Sequence, residues 1–331
     1  MTAKQAVEDF IKNVTITDKQ ESNVSTSYQN LQRHLVNGSN GLSAEKLFQV
    51  GSYSRDTIIK EFDPENCKLF LDIDTFLVLK ESEYKDMYGQ RLKPQPILAK
   101  IKNLLNDIPE YTGKVKQDNP CVIIILNDKK FDVLPCFGDD ANGYWIPNHD
   151  LSDWIMSNPV SLAADVTKVN GLRSGHAVPV LRAVKSWNRD HDKQIPPFHL
   201  EEIAVKIFNA NNFNDREEGL ALWFKYAEYY LNPALFKSKE EHTKAVNILR
   251  PAAEKVEAAH THRLNGNDST AIIAYKSVFG KDFPGASEED AKNFNQQWQQ
   301  GKLKVDNKGR IGAIAGVTIP VTSGFHGDGK Q

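Results

Sequence analysis

Cysteine is scarce in this chain: Cys67, Cys121 and Cys136 are the three in 331 residues. No C-x-x-C pair occurs, so neither a thiolate zinc site nor a disulfide framework is spelled out. Reduced thiols in a cytoplasmic protein are the simplest reading. Long apolar runs are missing too. The richest stretch, KLFLDIDTFLVL at 68–79, is broken by two aspartates and falls far short of the about 20 apolar residues of a membrane span. The opening MTAKQAVEDFIKNV is amphipathic without an apolar signal core, so no leader and no membrane association are expected. Net charge is nearly absent, 41 Lys+Arg against 43 Asp+Glu leaving −2. A protein that tracks along nucleic acid is usually basic, and overall charge gives that class no support. What is present, 40% hydrophobic and 25% charged residues, is the composition of a globular chain with a sizeable core.

The interrupted run is the informative feature. Its Leu, Ile, Phe and Val content predicts a strand, in which residues two apart project from one face. Asp72 and Asp74 therefore stand side by side on a mostly apolar element. Paired carboxylates there repel each other and resist burial, and a hard, oxygen-seeking cation such as Mg²⁺ relieves both problems. Just upstream lies GSYSRD at 51–56. Gly51 allows close backbone approach, Ser52 and backbone N–H groups can donate to phosphate oxygens, and Arg55 adds charge. Downstream, CVIIIL at 121–126 and KFDVLPCF at 130–137, joined by a short polar turn, predict a hairpin with Asp132 in its second strand. If that strand lies beside the first, three carboxylates converge. Such a trio holds two Mg²⁺ ions in the arrangement used for in-line phosphoryl or nucleotidyl transfer.

Gly51-Ser52, Asp72-x-Asp74 in an apolar strand and Asp132 in a later strand resemble the signature of the DNA polymerase β-like nucleotidyltransferases. Further segments narrow the likeness. WIPNHDLSDWIMSNPVS at 145–161, HAVPVLRAVKSWNRD at 176–190 and PFHLEEIAVKIF at 197–208 resemble the bacterial relatives of cyclic GMP-AMP synthase and oligoadenylate synthetase. These are the CD-NTases of CBASS anti-phage systems. The chain is most similar to the clade C enzymes, which make cyclic trinucleotides and travel with HORMA-domain partners. The resemblance implies a nucleotidyltransferase core packed on a C-terminal helical lobe. It implies two Mg²⁺ (or Mn²⁺) ions on Asp72, Asp74 and Asp132, and a donor triphosphate on Gly51 and Ser52. It also places Lys185 against that triphosphate, with Arg55 and Arg182 as weaker candidates. The implied partners are ATP and other NTPs, a HORMA-domain regulator and a nucleic-acid activator.

Independently of the likeness, strands and helices mixed through hairpin connections predict an α+β fold. Helices are expected over 3–36 with a break near 15–22, from about 43 into Gly51, and over 94–111. Beyond Leu151 the pattern is helical almost throughout, beginning with a helix capped by Asp150 or Ser152 and running through Met156. The expected organisation is a core with N-terminal helices over 1–150, a helical lobe over 151–303 and a flexible tail over 304–331. The N-terminal helices are expected to pack on the helical lobe. The Gly-, Ser- and Thr-rich tail reads either as frayed or as a peptide that a partner captures by strand addition. Tyr144, Trp145 and Trp187 are candidates for stacking on a base, though core packing suits Trp187 equally. His176 reads more simply as structural than as part of an acceptor pocket, and His260, His262 and Arg263 read as a polar helix end.

The expected activity is the joining of NTPs, ATP foremost, into a cyclic oligonucleotide messenger, with cyclic triadenylate favoured. Pyrophosphate is released, and Asp132 helps to accept the proton. The alternative is a linear nucleotidyltransferase that extends RNA or modifies a small-molecule or protein acceptor; a catalytically dead scaffold is argued against by the intact acids.

Overall fold

The computed structural model describes residues 1–36, 41–63 and 68–285, together with 292, 296, 299–300, 302, 304–305, 311–312 and 317–318. Eight strands make the main sheet: β1 (Ala44–Gln49), β2 (Glu61–Asp63), β3 (Lys68–Leu79), β4 (Val115–Asp118), β5 (Cys121–Ile125), β6 (Lys129–Asp139), β7 (Gly143–Pro147) and β8 (Trp154–Ser157). The spatial order is β1-β3-β6-β5-β4, with β2 on β3 and with β7 and β8 extending from β6. β3 and β6 run parallel, whereas β1 and β5 flank them antiparallel. This is the mixed sheet of the expected α+β class.

The helices are α1 (Ala3–Val14), α2 (Asp18–Leu35), α3 (Gly51–Ser54), α4 (Pro94–Asn106), α5 (Pro159–Leu172), α6 (Ala177–Arg189), α7 (Pro197–Ala210), α8 (Arg216–Ala227), α9 (Lys239–Leu264) and α10 (Asp268–Phe279). Local signals set several of their ends. Thr17 and Gln20 form a reciprocal capping box at the start of α2. Asn158 caps α5 with Pro159 in its first turn, so the chain leaves the sheet and enters helix within two residues.

Alternation along β3 sorts its side chains between two cores. Leu71, Ile73, Leu77 and Leu79 join a cluster with α2 and α4, while Phe76 and Val78 pack on Val50, Cys136 and Tyr144. A larger cluster is built from α5 to α10. The two N-terminal helices part company. Ala6, Val7, Phe10 and Val14 of α1 belong to the helical cluster, and Val24, Leu31 and Leu35 of α2 to the sheet's.

Two segments differ from expectation. Residues 44–49, read as helix, form β1, because a strand beside β3 sends Leu47 into one core and Phe48 toward the other. Asp150 and Ser152 cap no helix. The Ser152 N–H donates to Asp150 Oδ1 at 3.0 Å in a turn, and Trp154–Ser157 form β8 on β7, with the Trp154 ring 4.6 Å from that of Phe137. Pairing and aromatic packing outweigh the local helix signal there. Cys67, most of residues 286–303 and most of the tail lie outside the described residues. Within the tail, 304–305 pairs antiparallel with 311–312 and with 317–318. Among the described residues no helix is long and apolar enough to cross a membrane.

Phe10 ties α1 to α10. Its side chain is buried, with ring centroids 4.9 Å from Phe279 and 5.3 Å from Phe283. Phe10→Ala is expected to cost about 3–5 kcal/mol of unfolding free energy, the usual range for an aromatic core deletion. Urea denaturation checks this, and a loss under about 1 kcal/mol would show that α1 is not part of the helical core.

Candidate active site

The parallel pairing of β3 with β6 sets Asp74 directly opposite Asp132, and Asp72 lies two residues back on the same face. One carboxylate oxygen from each of Asp72, Asp74 and Asp132 lies within 4.8 Å of the other two. The strand faces behind them, carrying Leu71, Ile73, Phe131 and Val133, are buried, so the backbone cannot easily relax the crowding.

Charge at this point is poorly balanced. Lys130 Nζ stands 3.1 Å from Asp72 Oδ2 and 3.2 Å from Asp132 Oδ2, one cation against three carboxylates. Among the described residues Asp72 Oδ1 and Asp132 Oδ1 are buried without a hydrogen-bond partner. Burial, followed by the charges of Asp72 and Asp132, pushes the Asp74 carboxyl up to about 7. Burial and then Asp72 push Asp132 up to about 6, and burial also raises Asp72 in spite of Lys130. Orphaned, crowded carboxylate oxygens facing a cleft are the donor set that a hard divalent cation fits.

Gly51 closes over this trio. Its φ is +67°, and a Cβ there would stand 2.0 Å from Asp74 Oδ2, so glycine is required twice over, by conformation and by contact. The Val50 N–H donates to the Asp74 carbonyl oxygen at 2.9 Å, which hangs the Gly51–Ser54 turn from the acidic strand.

Two clefts meet at Gly51, Arg55, Asp74 and Phe198. The first, about 330 Å³, carries Ser52, the cations Arg55, Lys185, Arg189 and Lys193, and the carboxylates Glu61, Asp72 and Asp74. The second, about 440 Å³, carries Asp132, Asn158 and Glu202 among apolar Leu134, Ile146 and Leu162. Each is of the size that takes a small organic ligand.

The structure thus brings Asp72, Asp74, Asp132, Gly51, Ser52, Arg55 and Lys185 to one place. Arg182 is not among the residues that line either cleft; it is engaged by Asp56 and Thr15. Tyr144 and Trp187 are buried in cores, and Trp145 packs under the Arg91 guanidinium, 4.6 Å away. Phe76, which is buried, lines the second cleft, and the exposed aromatic at the site is Phe198, 43% exposed and shared by both clefts. His260 and Arg263 pair with buried Glu217. Sequence reasoning missed Thr57 and Glu201. Thr57 Oγ1 donates to Glu201 Oε1 at 2.6 Å, Lys185 Nζ lies 2.5 Å from the same oxygen, and Arg55 Nε donates to Glu201 Oε2. The missed signal was an acid on the buried face of α7, beside Leu200 and Ala204.

Residues 1–170 match the domain family described as Second Messenger Oligonucleotide or Dinucleotide Synthetase. The chain belongs to this family. Over 338 aligned positions the chain is 23% identical to a probable cyclic nucleotide synthase of Bacillus cereus (strain VD146), covering 87% of this chain and 99% of the relative. Over 313 residues it is 24% identical to a cyclic AMP-AMP-AMP synthase of an Acinetobacter species, covering 88% of this chain and 89% of that one. The fold is shared with E. coli MS115-1 CdnC solved with ATP, at TM-score 0.67 and 15% identity over 85% of this chain and 99% of the other. CdnC solved in complex with HORMA-deltaN matches at TM-score 0.64, with 14% identity over 85% and 98%. Family membership makes the chain a nucleotidyltransferase of cyclic-nucleotide-forming type, and the acidic trio fits the divalent metal that such transfer needs.

The crowded carboxyls have a consequence for stability. A carboxyl raised in the folded state stabilises below its ordinary value of 3.8, and that contribution is lost as pH rises through about 7. In metal-free protein, Asp74→Asn is therefore expected to raise the melting temperature at pH 8 by about 3–6 °C, and by much less at pH 4.5. Differential scanning calorimetry in EDTA checks it; an equal or lower midpoint at pH 8 would show that the trio is not under electrostatic strain.

Proposed function

We propose that this chain joins ATP, and other NTPs less readily, into a cyclic oligonucleotide messenger, cyclic triadenylate foremost, in anti-phage signalling. The observation that carries the reading is the convergence of the three carboxylates on the seam between a cationic cleft and a more apolar one. Likeness to a cyclic AMP-AMP-AMP synthase and to a fold solved with ATP supports the choice of nucleotide and product. The complex of CdnC with HORMA-deltaN supports a HORMA-domain regulator for this chain as well.

In this reading the donor triphosphate lies in the cationic cleft. Ser52 and the Gly51 backbone meet its phosphate oxygens, and Arg55 and Lys185 offset its charge. The acceptor nucleoside lies in the second cleft, on the Asp132 side. Asp72, Asp74 and Asp132 would hold two Mg²⁺ ions, with Mn²⁺ as a substitute. These supply Lewis-acid activation of the acceptor hydroxyl and neutralise charge on the leaving group. The acceptor oxygen bonds to the α-phosphorus as the α–β bridging bond breaks. Pyrophosphate departs, and the hydroxyl proton passes to an Asp132 carboxylate oxygen, whose Oδ1 has no other partner among the described residues. Repetition on the linear product, turned within the same clefts, closes the ring. A confined pair of clefts on a chain of net charge −2 suits short substrates better than an RNA track.

Incubation with all four NTPs and Mg²⁺, phosphatase treatment and mass spectrometry test the reading. A phosphatase-resistant species at the mass of cyclic triadenylate is expected, and linear oligomers as the sole product would contradict it. Gly51→Ala, which drives a methyl into Asp74, is expected to lower turnover about 100-fold, the scale of an ångström-level misplacement of reacting groups. Initial rates of pyrophosphate release check this, and a rate within about 3-fold of wild type would place Asp74 outside the chemistry.

A further inference from the structure

We infer that Glu201 is a positioning residue that holds Lys185 and Arg55 in the geometry that receives the donor triphosphate. The inference rests on the proposed reading that the cationic cleft takes that group.

Glu201 is 0% exposed and cannot itself meet a ligand. Its two carboxylate oxygens are nonetheless divided between the two cations of the cleft wall. Oε1 takes Lys185 Nζ at 2.5 Å and the Thr57 hydroxyl at 2.6 Å, and Oε2 takes Arg55 Nε. Lys185 Nζ also donates to Thr57 Oγ1 at 2.9 Å. The partners come from different parts of the fold. Arg55 and Thr57 follow directly on α3, which carries Ser52, whereas Lys185 and Glu201 project from α6 and α7 of the helical cluster. The hydroxyl and both cations are thus gathered on one carboxylate.

A stabilising role alone explains this poorly. A buried charge cluster seldom outperforms apolar side chains of the same volume, because each ion is stripped of water. Within the cluster one carboxylate serves two cations, which leaves a positive charge over on the wall of a cleft that Gly51, Ser52 and the acids Asp72 and Asp74 also line. An ammonium has three N–H donors, and two of those of Lys185 are engaged. One donor is left for a ligand, with its direction fixed by the other two. Glu201 also favours the charged form of that donor. Burial and then the neighbouring Arg55 pull the Lys185 ammonium toward deprotonation, while Glu201 is the largest influence opposing them. Without the carboxylate, an unpaired lysine and arginine side by side in a dry wall would repel each other and swing apart.

Isothermal titration with Mg²⁺ and a non-hydrolysable ATP analogue tests the role in wild type, Glu201→Gln, Lys185→Met and the double variant. Glu201→Gln is expected to weaken binding on the order of 10-fold, the scale of one charge-assisted hydrogen bond. The double variant is expected to lose less than the product of the two single losses, because Glu201 acts through Lys185. A Glu201→Gln protein that melts lower but binds as wild type would overturn the proposal, as would single losses that multiply. If Glu201→Gln does not fold, Thr57→Val removes the shared hydroxyl alone. A weakening of about 3-fold is then expected, and unchanged affinity would again overturn it. No binding by wild type would instead overturn the assignment of the cleft to the triphosphate.

Discussion

Mutual repulsion among three carboxylates is the constraint on which the rest of the structure depends. The parallel register of β3 on β6 brings Asp74 opposite Asp132 with Asp72 beside them, and the buried Leu71, Ile73, Phe131 and Val133 on the reverse face hold the strands there. A sheet that placed these acids apart would be more stable without its ligand. The fold keeps them together with one internal lysine as partial counter-charge, which leaves the site poised for a stronger cation. Stability set aside at a functional site and recovered from packing elsewhere is a common division of labour in enzymes.

Around that trio the other elements read as consequences. Gly51 must be glycine because the turn it opens rests against Asp74. The Gly51–Ser54 turn is suspended from β3 through Val50. The helical cluster reaches the same point through Lys185 and Glu201. The site is therefore not the property of the sheet alone. Cations from the helical side complete a cleft whose acids come from the strands, and Phe198 at the start of α7 stands between the two ligand spaces.

Much of this was legible in the residues. Period-two spacing of Asp72 and Asp74 within an apolar run declared both the strand and the shared face, and the hairpin around residue 128 declared where Asp132 would fall. These are local signals, and local signals survive without tertiary information. The failures have the opposite character. Residues 44–49 became an edge strand because β3 offered a partner, and Trp154–Ser157 because β7 did; neither partner is visible within the segment itself. Tyr144 is buried and Phe198 is exposed, yet nothing in an isolated aromatic says which way it faces. Glu201 was missed because its role lies in pairing with residues 16 and 146 positions away in sequence.

We propose that the acidic trio is a divalent-cation site completed by nucleotide. Electron paramagnetic resonance of Mn²⁺ tests it most directly, by titrating the ion into the protein with a non-hydrolysable ATP analogue. Saturable loss of the free Mn²⁺ signal is expected in wild type, approaching two ions per chain, with that loss abolished in Asp72→Asn/Asp74→Asn. Equal Mn²⁺ uptake by that variant would contradict it, and the crowded carboxylates would then need another explanation.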